Sequence, residues 1–322
     1  MPPLCQRSAH QYSAVHNSYM DRRSFTKASM SAISLALAAP GGALAATDQL
    51  IRKAIPSSGE LIPVIGLGTN RYGVDNSAAS RAPLRDALHR FHQLGGTVID
   101  TAPQYRSSET VLGDLIADLD ISAEMFVATK TDKSTAAETS AQMQDSAEKL
   151  NIQKIDLMQV HNLRSWKTAL PVMREWQQEG RIRYIGITTS RSNQYEEFER
   201  VLKTEKLDFI QINYSLEQRE AADRILPLAA DRGVAVMINR AFGGGRIFES
   251  VGDQPLPDWA KDFGCESWAQ FLLKYAIGHS AATLAIPGMT KLRHVDDNFG
   301  AARGRLPSAE ERRRQEIFYD SL

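Results

Sequence analysis

The sequence predicts an α/β protein: a (β/α)8 barrel (TIM barrel) with an N-terminal β-hairpin before it and an extra C-terminal helix after it. Three observations lead there. From residue 64 onward, eight short apolar runs alternate with amphipathic segments, and no shift in composition divides them. Residues 47–322, the part following a leader, come close to the ~250 residues typical of such a barrel. An open doubly wound sheet would want Gly-x-Gly-x-x-Gly after an early strand. Here Gly66-Leu67-Gly68 runs into Thr69-Asn70-Arg71, and Gly243-Gly244-Gly245 comes too late.

Residues 1–46 read as a leader. Arg22, Arg23 and Lys27 precede a weakly apolar stretch, Ala28 to Ala39, and the small-residue sequence Ala43-Leu44-Ala45 follows. Arg22-Arg23 with Phe25 and Lys27 resembles a twin-arginine export signal. That resemblance implies transit through the twin-arginine machinery to the periplasm. The route carries folded proteins, so a nucleotide could be bound before transport. The apolar stretch is well short of the ~20 residues that cross a bilayer, so no stable membrane insertion is expected. Met1 and Met20 both stand as candidate initiators.

The mature chain opens with Ile51–Pro63, a hairpin around Pro56-Ser57-Ser58-Gly59. The predicted barrel strands are Val64–Leu67, Thr97–Thr101, Met125–Thr129, Ile155–Val160, Arg183–Ile187, Phe209–Asn213, Val234–Ile238 and Thr283–Ile286. Most are continuous apolar runs, as strands buried on both faces should be. Between them, Leu84, Leu88 and Phe91 keep helical spacing, as do Tyr195, Phe198, Val201 and Leu202. Several helices end in glycine: Gly95, Gly180 and Gly233. Ser308 and Glu311 have capping-box spacing at the start of the last helix.

A formal net charge of zero and a pI near 7.1 give no basic excess of the kind nucleic-acid binders carry, so no nucleic-acid partner is expected. The run Arg312-Arg313-Arg314, flanked by glutamates, reads as a solvated helix face. Cys265 is the one cysteine after the leader, which leaves no internal disulfide or cysteine metal site; it reads as a quiet apolar residue.

Chemistry-bearing residues cluster where a barrel places its active site, at the carboxyl ends of the strands. Asp100 ends the second strand, with Tyr105 in the loop after it. Lys130 follows the third strand and His161 the fourth. A phenol is a weak acid near pKa 10, and a neighbouring ammonium lowers that value. Lys130 would supply the ammonium, Asp100 would align it, and His161 would orient a substrate oxygen. Tyr105 would then protonate an alkoxide formed as hydride reaches a carbonyl carbon.

The same residues carry a resemblance to the aldo/keto reductase family, from about Leu61 to Ala302. Its most specific element is Asp100-Thr101-Ala102-Pro103-Gln104-Tyr105, with Ser108-Glu109 and Leu112-Gly113 after it. Gly66-Leu67-Gly68-Thr69, Ala128-Thr129-Lys130, Gln159-Val160-His161-Asn162 and Gly180-Arg181-Ile182-Arg183 support it. The resemblance implies a (β/α)8 barrel, the tetrad Asp100, Tyr105, Lys130 and His161, and NADPH as hydride donor, with NADH as the alternative. It implies that Gln211, Thr188 and Thr189 contact the nicotinamide carboxamide and that Asp297 and Asn298 grip the adenosine. Lys291, Arg293 and His294 would stand near a 2′-phosphate. Tyr72, Trp166 and Phe242 are candidate walls for a small-molecule carbonyl substrate. One departure stands out: Asn239 takes the place where relatives carry a tyrosine stacked on the nicotinamide. That departure keeps a second function open, a non-catalytic nicotinamide-binding subunit that senses redox state. A metal hydrolase would need a ligand set that His161 does not have, and no metal is expected.

Overall fold

The computed structural model describes residues 49–322; the leader, and with it the twin-arginine-like stretch, lies outside the described residues. A hairpin opens the described chain. Strand β1 (Arg52–Ala54) pairs antiparallel with β2 (Leu61–Pro63), Arg52 opposite Pro63 and Ala54 opposite Leu61. The turn closes where the Gly59 amide donates to the Ile55 carbonyl at 2.8 Å. Gly59 has φ +79°, which glycine adopts without a Cβ clash.

Eight parallel strands follow: β3 (Leu67–Gly68), β4 (Val98–Asp100), β5 (Phe126–Thr131), β6 (Ile155–Val160), β7 (Ile182–Thr188), β8 (Phe209–Asn213), β9 (Ala235–Asn239) and β10 (Leu284–Ala285). Each lies beside its sequence neighbour. Parallel bridges Ile65–Ala285 and Gly68–Gly288 join the first barrel strand to the last, so the sheet curls onto itself. The approach is tight: a Cβ on residue 68 would stand 2.6 Å from the Ile286 carbonyl oxygen. Every predicted strand is present. The first pairs with the last strand around Ile65 and with the second over Leu67–Gly68. Val64 joins hairpin and barrel, its amide donating to the Ile51 carbonyl at 3.2 Å and its carbonyl accepting from the Ala285 amide at 2.9 Å.

Inward-facing side chains from β4 to β10, among them Phe126, Leu157, Tyr184, Phe209 and Met237, fill the barrel and pack with Ile55 and Ile62 of the hairpin. The hairpin therefore stoppers one mouth of the barrel. Lys53 fastens it there, donating to the carbonyls of Ile277 at 2.7 Å and Ala282 at 2.6 Å.

Helices cover the outside: α1 (Ala78–Gln93), α2 (Ser108–Asp118), α3 (Ala136–Lys149), α4 (Trp166–Gln178), α5 (Tyr195–Thr204), α6 (Ala221–Asp231), α7 (Arg246–Val251), α8 (Trp268–Ile277), α9 (Leu292–Gly300) and α10 (Ala309–Asp320). α1 buries Leu84, Leu88 and Phe91, and α5 buries Phe198, Val201 and Leu202, the stripes their spacing predicts. α10 begins with the expected capping box at Ser308 and Glu311. Its arginine run keeps the solvated face the sequence suggested at Arg313 and Arg314, which are exposed, and departs from it at Arg312. Arg312 lies 4.9 Å over the Tyr275 ring and donates to the Tyr214 hydroxyl, and Arg314 lies 4.3 Å over Trp259. Guanidinium groups stack on aromatic faces, so two of the three arginines pin α10 to the barrel. Cys265 is buried, and burial pushes its thiol up to about 12, which keeps it unreactive.

Candidate active site

The barrel brings the four predicted residues to one rim. Asp100 ends β4 and Lys130 lies near the end of β5, in register with Gln159 on β6; His161 follows β6 directly. Tyr105 sits in a tight turn, its amide donating to the Ala102 carbonyl at 3.0 Å. The loop before α1 presses on that turn: a Cβ on Gly73 would collide with the Tyr105 carbonyl oxygen.

Lys130 and Asp100 are almost fully buried. The ammonium donates to Asp100 Oδ2 at 2.7 Å and to the Thr101 carbonyl at 2.8 Å. The other carboxylate oxygen accepts from Gln159 at 3.2 Å and Gln211 at 2.8 Å. Lys130 Nζ stands 5.3 Å from the centre of the Tyr105 ring. Desolvation would drain the charge from Lys130, but Asp100 and Tyr105 hold its pKa above the ordinary value.

The phenol differs from expectation. The Lys130 ammonium is the largest influence on Tyr105 and pulls its pKa down, yet burial and the Asp100 carboxylate together push it further up. The net position lies above the ordinary phenol value, because burial first and the nearby Asp100 carboxylate second together outweigh the ammonium. Burial and Lys130 hold His161 down to about 4, so its ring is neutral near pH 7. It meets the Tyr105 ring edge-on, with centres 6.3 Å apart, and its Nδ1 lies 2.9 Å from Gln104 Oε1.

A cleft of about 890 Å³ starts at Asp100, Tyr105 and His161 and runs to His294, Asp297 and Asn298 on α9. Thr188, Gln211, Asn239 and Phe242 also line it. Thr188 accepts from the Asn162 amide at 3.0 Å. Thr189 is buried behind the lining, its hydroxyl donating to Gln194 at 2.6 Å. The Gln211 amide nitrogen is engaged by Asp100, which ties the expected nicotinamide end to the tetrad. Asn239 donates to the Thr189 carbonyl at 3.1 Å, and its buried Oδ1 has no hydrogen-bond partner. Asp297 accepts from Ser267 at 2.6 Å and Gln270 at 3.1 Å, so it braces the start of α8. Lys291 and Arg293 are exposed beside the cleft and do not line it.

Two of the expected substrate walls belong elsewhere. Tyr72 is fully buried and its hydroxyl donates to the Met289 carbonyl at 3.0 Å, so it packs the scaffold. Trp166 starts α4 and lines a separate groove with Leu163 and Lys167, its indole donating to Glu197 at 2.8 Å. Phe242 does face the cleft and packs against Phe248, ring centres 5.1 Å apart. Sequence reasoning missed Gln159 as a holder of Asp100, although its place two residues before His161 on the inward face of β6 was a signal. It also missed Arg71, Phe248 and Trp268 in the lining, which no local motif marks. Among the described residues, no group of three or more His, Cys, Asp or Glu could hold a metal ion.

The model of the aldo/keto reductase family matches residues 64–317. Aldo-keto reductase YhdN of Bacillus subtilis (strain 168) is 30% identical over 198 residues, 54% of this chain and 56% of the relative. The chain thus spans a little over half the length of that relative. The NADH-specific methylglyoxal reductase of Escherichia coli (strain K12) is 25% identical, over 61% of this chain and 69% of its own. In fold, the holo form of aldo-keto reductase AKR11C1 from Bacillus halodurans superposes with a TM-score of 0.69 at 22% identity, covering 84% of this chain and 96% of that one. An aldo-keto reductase from Klebsiella pneumoniae in complex with NADPH gives 0.66 at 23% identity, covering 84% and 96%. With the family match spanning well over half of its length, the chain belongs to the aldo/keto reductase family.

Proposed function

We propose that the protein reduces aldehydes or ketones to alcohols with NADPH, NADH being the alternative donor. The observation that carries this reading is the convergence of Tyr105, Lys130, Asp100 and His161 at one end of a cleft large enough for a nucleotide. The residues fit such a cofactor at both ends. Near the tetrad, Thr188, Gln211 and the unpartnered Oδ1 of Asn239 offer a carboxamide hydroxyl, amide and acceptor groups. At the far end, α9 starts with no side-chain cap hydrogen bond; Lys291 is its N-cap residue and Arg293 stands on its first turn. A helix start with free backbone amides and cations suits a phosphate. Both donors occur among similar proteins, NADH with the Escherichia coli methylglyoxal reductase and NADPH with the Klebsiella pneumoniae structure.

When bound, the dihydronicotinamide supplies a hydride to the carbonyl carbon. The chain's own part is to place the carbonyl oxygen between Tyr105 and His161 and to give that oxygen a proton from the Tyr105 hydroxyl. Lys130, kept charged by Asp100, stabilises the phenolate left behind until solvent returns the proton. The test is NADPH oxidation by the full chain across a panel of carbonyls. Tyr105→Phe should lower turnover by roughly 10²–10⁴-fold while nucleotide binding is retained. Undiminished turnover in that variant would sink the acid assignment. Tight nucleotide binding with no turnover in the wild type would favour the redox-sensing reading.

We also propose that residues 1–46 export the protein to the periplasm through the twin-arginine machinery. Arg22-Arg23, the short weak apolar stretch and Ala43-Leu44-Ala45 support this by falling in the order such signals require. Residues 20–50 fused to a reporter should direct export, and changing both Arg22 and Arg23 to Lys should block it. Continued export of the double variant would refute the proposal.

A further inference from the structure

Gln104 lies beside the acid, yet nothing in the reaction above uses it. Its position is well determined by the backbone. It occupies the turn closed by the Tyr105 amide and the Ala102 carbonyl, so it rides on the loop that carries the acid. Its side chain crosses to a different loop, where His161 Nδ1–H donates to Gln104 Oε1 at 2.9 Å.

The backbone at His161 is locked from the other side. Asn162 has φ +52°; its amide donates to Thr188 Oγ1 at 3.0 Å, and its Oδ1 accepts from the Ser190 amide at 2.9 Å. These bonds fix the loop but not the proton on the imidazole. The groups whose charge is felt at that ring are Lys130 on β5, Asp132 just after it, Arg164 before α4 and Arg191 before α5, with the Tyr105 ring at its edge. Among the described residues Gln104 is the one side chain hydrogen-bonded to the imidazole. A neutral imidazole has one donor and one acceptor nitrogen, and the partner at one determines the role of the other. With the Gln104 carbonyl on Nδ1–H, Nε2 is an acceptor towards the cleft. With the amide turned over, its NH2 donates to Nδ1, and the ring proton moves through water to Nε2.

The chemistry needs both forms. A carbonyl oxygen can only accept, so it calls for Nε2–H. An alcohol can donate, so it is held by Nε2 as acceptor. Glutamine offers both faces from one side chain, which no carboxylate does. We propose that Gln104 is a positioning residue that sets which nitrogen of His161 carries the proton, and that turning its amide switches His161 between the carbonyl-binding and alcohol-binding forms. This rests on the carbonyl-reductase reading.

The test uses ¹⁵N-histidine NMR on the full chain without ligand, with His161→Asn identifying the His161 signals. The free wild-type protein should show the Nδ1–H tautomer in excess. Gln104→Met should remove that excess, and Gln104→Glu should keep Nδ1–H and raise the His161 titration by one unit or more, since a carboxylate favours the imidazolium. In kinetics, Gln104→Met should lower kcat for reduction roughly tenfold, the weight of one lost hydrogen bond, with nucleotide affinity unchanged. Gln104→Glu should give a rate that falls as pH rises through the new His161 titration, where the wild type is flat. An unchanged tautomer ratio in Gln104→Met, or an unchanged titration in Gln104→Glu, would overturn the proposal. If the tautomer responds but the wild type turns over no carbonyl, it is the reductase reading that fails, and the control of His161 by Gln104 stands.

Discussion

At Tyr105 the sign of one pKa shift shapes the whole pH response. Reduction needs the phenol protonated, and its pKa lies above the ordinary value. His161, held at about 4, is neutral throughout the physiological range. The kcat/KM for reduction should therefore stay flat from about pH 5 through neutrality and fall only in the alkaline range, as Tyr105 loses its proton. Oxidation of an alcohol needs the phenolate, so its rate should rise over that same alkaline range. An acid limb near pH 6.5 in the wild type would contradict the neutral histidine. The tetrad was legible because strand ends can be counted from sequence. The direction of the phenol's shift was not. It depends on Asp100 standing 2.7 Å from the same ammonium and on how deeply the group is buried, and neither distance nor depth is written in the motif. Gln159 and Gln211 stayed hidden as holders of Asp100 for the same reason, since an amide side chain takes its meaning from what folds against it.

Single elements were read more securely where their signals are local. The Ser308–Glu311 box formed as spaced: Ser308 Oγ accepts from the Glu311 amide at 3.2 Å, and Glu311 accepts in return from the Ser308 amide at 2.8 Å. Arg305 then holds the Glu311 carboxyl down to about 2. Ser308→Ala should lower stability by about 1 kcal/mol, read as a shifted urea midpoint at constant slope. No shift would mean that the stacked arginines alone hold the helix. A depressed carboxylate stabilises above its unfolded pKa, so this end of α10 should loosen as pH falls from the usual glutamate range towards 2. The ring contacts of the α10 arginines are not legible in sequence, because Tyr275 and Trp259, which receive Arg312 and the still exposed Arg314, arrive from distant parts of the chain.

For the molecule as a whole, the order of the eight barrel strands was legible in advance because alternation of strand and helix leaves few topologies open. The walls of the cleft were not, since loops from many strands meet there without a shared pattern; Tyr72 and Trp166 show how an aromatic near a motif can serve the scaffold instead. The stoppered, closed barrel carries a further consequence for biosynthesis. Lys53 reaches carbonyls more than two hundred residues downstream, and the first strand finds its second neighbour only at Ala285 and Gly288. A nascent polypeptide still on the ribosome therefore holds its earliest strand with one bare edge until almost everything has been translated. Truncated products cannot pass for finished ones, because the seam that seals the cylinder is made by its two ends.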